Sequence, residues 1–185
     1  MMNKEYLDAF ENKLEQELLK LCTSYNMLGG VLLSTDDLNE KWHIIAPEYM
    51  ADAVGQIKDY PTVSVAWAGY LGMAYAYGWD FDWEIYSHAE YKSFYGKQGF
   101  DDMDEYIVEN VLGISLDSND AQMIEKIMRI CGQTTVAYIR NEQVEPQSQL
   151  AFFIFARACK VMFRIGVAIE LKRLGYKFER VDNLN

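Results

Sequence analysis

Proline is scarce in this chain of 185 residues, with copies only at positions 47, 61 and 146. Scarce proline leaves long stretches free to close helical hydrogen bonds. Abundant Met, Leu, Ala, Glu and Tyr then favour helix over sheet. Histidine is scarcer still, with two copies, and only one Glu-x-x-His spacing occurs, Glu40 to His43, where carboxylate-bridged metal bundles use two. Cysteine is limited to Cys22, Cys131 and Cys159. An odd, scattered set does not build a disulfide framework or a zinc knuckle, and it reads as buried reduced thiols of a cytoplasmic protein. Positive charge is also in deficit, with 17 Lys and Arg against 28 Asp and Glu, net −11. That balance excludes general nucleic-acid binding, which needs cations against phosphates, and attachment to an anionic membrane.

Long apolar runs are missing as well. Residues 60–79 approach the minimum length of a membrane span, but their Gly and Tyr lower the hydropathy. Residues 150–169 are more apolar, yet Arg157, Lys160 and Arg164 interrupt them. The N-terminus lacks the apolar stretch of a signal peptide. There is no Gly-rich phosphate loop followed by Lys-Ser/Thr, no Gly-x-Ser-x-Gly, and no Cys with a nearby His. No cofactor is therefore expected.

What remains is helical periodicity. Leu7, Phe10, Leu14, Leu18, Leu21 and Tyr25 recur every three or four residues, which predicts an amphipathic helix ending near Gly29-Gly30. Asp36 or Asp37 caps a short helix toward His43, Pro47 opens another to about 59, and Pro61 starts a third over 62–77 that ends at Gly78. Within it Ala68, Gly72 and Ala76, with Gly69 alongside, form a strip without bulk, where a second backbone can approach. Asp80 or Asp82 caps a helix to about 95, and Asp101 or Asp102 begins a shorter one ended by Gly113. Asp117 and Ser118 cap the next, with the stripe Ile124, Ile127, Met128, Cys131, Thr135 and Tyr138. Pro146 opens the last, which stops at Gly175, and 176–185 is a short extended tail. The sum is an all-α, single-domain bundle over 1–185, about seven helices with mostly antiparallel neighbours.

Two features stand out from this frame. Residues 60–95 hold twelve aromatics in 36 positions, and the segment 80–110 carries nine acids against two bases. Trp67, Tyr70, Tyr75, Trp79 and Trp83 beside Asp80, Asp82 and Glu84 combine ring faces with carboxylates. Such a region serves as core, as a protein interface, or as a pocket for a cationic group. Second, Arg157, Lys160 and Arg164 share one side of the closing helix, which is otherwise apolar nearly all round. A central helix cannot leave cations unpaired, so negative charge must come from the acidic middle of the chain, another subunit or a bound anion.

Three functional readings follow. The first is a non-enzymatic interaction module that binds a protein partner, or a second copy of itself, through the aromatic–acidic region 67–95. The second is a small-ligand binder with a pocket between helices 62–77 and 146–174, anchored on an anion by Arg157, Lys160 or Arg164. The third is a metal-dependent or acid–base hydrolase around Glu84 and His88, which would share a helix face at four-residue spacing. Its plainer alternative is a capping cluster beside a surface histidine. Asp101, Asp102, Asp104 and Glu105 lack the spacing of a calcium loop and suit the first turn of a helix.

Overall fold

A computed structural model describes residues 4–177. Helix α1 spans Lys4–Ser24 and buries Leu7, Phe10, Leu14, Leu18 and Cys22, the stripe read from the sequence. The chain turns at Asn26 (φ 60°) and Gly30 (φ 82°). Thr35 then caps α2, Asp36–Gln56, by accepting a hydrogen bond from Leu38 N at 3.3 Å.

Helix α2 corrects the expectation of two helices, because it runs straight through Pro47. Proline cannot donate to the carbonyl four residues back. That residue is His43, and both lie on the exposed side, where water can serve the carbonyl. Helix α3, Pro61–Tyr86, has proline in its first turn as expected, but it continues through Gly78. It loses helical geometry at Asp82 (φ −165°, ψ 88°), and the Asp82 carboxylate caps one further turn by accepting from Ile85 N at 3.3 Å. The expected helix to residue 95 is replaced by that turn and a 3-10 turn at Tyr91–Phe94. The brief α4, Met103–Tyr106, widens into a π turn at Ile107–Val111 before Gly113 (φ 68°). Ser118 caps α5, Asn119–Asn141, and Ser148 caps α6, Gln149–Arg173, placing the start of α6 after Pro146 rather than at it. Gly175 (φ 96°) ends α6 as expected.

The fold is all-α, with six α-helices rather than seven and no strand among the described residues. The proposed tail lies largely outside them.

Helices α3 and α6 form the centre. Both are buried round most of their circumference, α6 from Ile154 to Leu171. Their backbones touch through glycine: a Cβ built on Gly72 would fall 2.1 Å from the Phe163 carbonyl oxygen, and one on Gly166 would fall 1.8 Å from that of Gly69. The strip without bulk is therefore the α3–α6 seam. Helix α5 packs antiparallel to α3, with Gly132 against Thr62 and Gly69 against Met128. Helix α5 also runs antiparallel to α1, where Cys22 and Cys131 bring their sulfurs to 3.5 Å. Helix α2 covers α3 through Tyr49, whose hydroxyl donates to Ser64 O at 2.5 Å, and reaches α6 through Trp42, whose ring lies 5.2 Å from that of Phe163.

Candidate functional site

The three cations of α6 meet carboxylates of α1. Arg157 Nη1 lies 2.7 Å from Asp8 Oδ1 and 2.5 Å from Glu11 Oε2. Lys160 Nζ lies 2.9 Å from Glu11 Oε1, and Arg164 Nη1 2.6 Å from Glu15 Oε2. The numbers rise together along both helices, so α1 and α6 are parallel neighbours, as are α3 and α6, where Ser64 meets Cys159 near one end and Asp80 meets Tyr176 at the other. The negative charge comes from this chain, but from its first helix rather than its acidic middle. The ladder is half-wet: the arginine in its bond with Asp8 holds that exposed carboxyl below the usual range, whereas burial pushes Glu15 up despite Arg164. These cations face α1, away from α3, and glycine contact closes the space between α3 and α6. At that crossing the backbones leave no space for the expected anion pocket, and the three cations are paired with α1 instead.

The aromatic segment divides into three regions. Tyr75 enters the core, fully buried, with its hydroxyl donating to Ala89 O at 3.1 Å. The ammonium of Lys41 lies 5.3 Å from the centre of the Tyr75 ring and donates to Ser87 O at 2.9 Å. Lys41 is only 6% exposed, and desolvation lowers its pKa. That contact staples α2 to the turn that follows α3. Trp79 and Asp80 meet the residues that follow α6. The Trp79 ring packs 5.6 Å from that of Tyr176, and Asp80 accepts from the Tyr176 hydroxyl at 2.6 Å. Trp67 and Tyr70 face α4 and α5, with Trp67 Nε1 donating to Phe100 O at 2.8 Å.

A different aromatic group reaches the surface. Tyr77 and Phe81 stack with centroids 5.9 Å apart and an interplanar angle of 7°. Tyr86 stands edge-on to both, at 6.5 and 6.4 Å. Phe81 and Ile85 are 68% and 66% exposed. Asp80 and Glu84 are exposed around them, and Asp82 and Trp83 are half-buried. This knuckle at the end of α3 is built by the break at Asp82. Its apolar members, Tyr77, Phe81 and Ile85, escaped the sequence reading, which favoured tryptophan, although their four-residue spacing was visible.

The Glu84–His88 pair does not share a helix face. Helix α3 ends at Tyr86, and His88 sits in the following turn, exposed like Glu84. No group of three or more His, Cys, Asp or Glu side chains among the described residues could hold a metal ion. The sequence reading also missed an open apolar groove of about 650 Å³ between α2 and the start of α6, lined by His43, Pro47, Met50, Val54, Phe152 and Phe153.

No helix among the described residues is long and apolar enough to cross a membrane. No family model, curated protein or solved structure matches the chain.

Proposed function

We propose that this protein is an interaction module that seats a basic partner on the knuckle at the end of α3. The exposure of Phe81 and Ile85 carries this reading: large apolar side chains left in water beside Asp80 and Glu84. Burying each on a partner is worth about 1.5–3 kcal/mol, enough for two anchors to set affinity. The acids give orientation and association rate more than affinity, and they select a partner carrying Lys or Arg around its own apolar contact. The net charge of −11 steers such a partner from a distance. Tyr77 and Tyr86 hold the Phe81 ring from two sides, so little side-chain freedom is lost on binding.

The test is site-specific photo-crosslinking in cells expressing the full chain. A photoreactive residue at Phe81 should give a discrete adduct with a basic protein, and the same residue at Met123 on α5 should not. Asp80→Lys with Glu84→Lys should abolish the adduct while the far-ultraviolet dichroism stays unchanged. Equal adducts at both positions, or an adduct indifferent to the charge reversal, would remove this proposal.

A further inference from the structure

We propose that the cleft between α3, α4 and α5 binds a small organic ammonium ion. The cleft is separate from the knuckle. It consists of two adjoining recesses of about 220 and 280 Å³, and Tyr70, Asp104 and Glu125 line both. Each recess is larger than a bare ion needs.

Tyr70 is the first observation. It is only 3% exposed, yet its hydroxyl makes no hydrogen bond with any described residue. Buried hydroxyls almost always have partners, since an unmade bond costs about 1–3 kcal/mol. The one side-chain polar atom among the described residues that is both sealed from solvent and unpartnered is Arg164 Nε. The Tyr70 oxygen therefore opens onto the cleft it lines. Burial pushes its pKa well up, so the phenol stays neutral and offers lone pairs to an N–H donor.

Asp104 is the second. No Lys or Arg among the described residues comes within ion-pair distance of it. Burial raises its pKa to about 6, against help from nearby backbone N–H groups. A desolvated carboxylate without a counter-ion lacks a partner that a cation would supply. Glu125 faces the same space. Its one ion pair is with Arg129, 3.1 Å away at the rim, where both side chains are at least half exposed and held weakly. Glu105 adds a further charge to the smaller recess. Arg129 is the cation of the larger one, so negative charge dominates the cleft.

The aromatic walls choose the kind of cation. The rings of Trp67 and Tyr70 meet at 85° with centroids 5.4 Å apart, and both line the larger recess, giving it aromatic walls that suit an alkylammonium group. A divalent metal would need several carboxylates on one point, and no such convergence exists among the described residues. Anions are repelled by the same carboxylates. An ammonium group with an alkyl body satisfies the cleft: N–H donors for Asp104, Glu125 and the Tyr70 oxygen, methylenes for the rings.

Titration of the full chain with 1,4-diaminobutane, followed by amide resonances and tryptophan fluorescence, tests this proposal. Saturable shifts confined to residues near 67–70, 104–105 and 125–129 are expected. Asp104→Asn should weaken binding about tenfold and Tyr70→Phe about threefold, as loss of a charged and of a neutral hydrogen bond predicts. Tyr70→Phe keeps the ring and the packing, so it reads out the hydroxyl even if Asp104→Asn perturbs folding. Non-saturable shifts spread over the acidic surface would overturn the proposal. So would unchanged affinity in Tyr70→Phe, or magnesium ions binding the cleft as well as the diamine does.

Discussion

Replacing Gly166 by alanine should damage this fold more than its single added methyl suggests. A Cβ at that position would lie 1.8 Å from the Gly69 carbonyl oxygen, 2.7 Å from its carbon and 3.0 Å from its Cα. Carbon contacts are normally about 3.5 Å or more, so α3 and α6 must separate by roughly 1.5 Å. The obstacle is backbone in a buried helix, which cannot rotate aside as a side chain can. Overpacking usually costs about 1–3 kcal/mol, and this instance belongs at or above the top of that range because it opens the central seam. Gly55 supplies the internal control. It lies inside α2 with nothing within 4 Å of its would-be Cβ, so Gly55→Ala should stabilise the protein by about 0.5–1 kcal/mol through helix propensity alone. Urea unfolding followed by circular dichroism measures both. A loss of about 3 kcal/mol lowers the midpoint by about 1 M or more. Gly72→Ala, 2.1 Å from the Phe163 oxygen, should cost a similar amount, and the double variant should cost less than the sum because one separation relieves both clashes. A Gly166→Ala protein within about 0.5 kcal/mol of the parent would refute the packing argument.

Three other outcomes are expected. Glu11→Gln strips Lys160 of its carboxylate and leaves Arg157 with Asp8 alone, so it should cost about 1–3 kcal/mol, discounted because the cations are partly exposed; urea unfolding with a Glu11→Gln/Lys160→Met cycle should show coupling, and a costless Glu11→Gln would contradict the ladder. Burial raises Glu170 to about 7 in the folded state from 4.5, so the folded form holds its proton longer than the unfolded chain does. Stability attributable to Glu170 therefore falls as pH rises from about 4.5 to about 7 and levels off above. Glu170→Gln should match the parent near the low end and exceed it by up to about 3 kcal/mol above pH 8, measured as the difference between two pH–stability curves; parallel curves would count against the shift. Finally, Cys22, Cys131 and Cys159 are fully buried and free, and the hydrogen bond with the Cys22 thiol, together with burial, pushes Cys131 up. Iodoacetamide followed by intact-mass measurement should add no label to the folded protein and three to the unfolded one; rapid labelling in native buffer would show that the α1–α5 contact opens.

Much of the framework was legible in the residues because it depends on local rules. The stripe of α1, the cap at Ser118, the glycine ends at Gly113 and Gly175 and the small-residue strip of α3 each follow from spacing or steric demand within one turn. The exceptions are positions where tertiary context overrode a local signal. Pro47 did not end a helix, because it sits on the exposed side of α2, one turn after the equally exposed His43. Gly78 did not end one either, because the Tyr86 ring packs over it at the distance a Cβ would fill.

The sequence on its own determined an acidic all-α protein with a helix that could not be exposed and three cations on it that needed partners. Only the tertiary structure decided that those partners are Asp8, Glu11 and Glu15, 146 or 149 residues away from Arg157 and Arg164 along the chain. It also sent Tyr75 inward and Phe81 outward, and it brought Tyr70 to Asp104 and Glu125. Periodicity fixes which face of a helix is apolar, but the pairing of faces depends on how whole helices pack, and charge totals over a segment carry no information about direction.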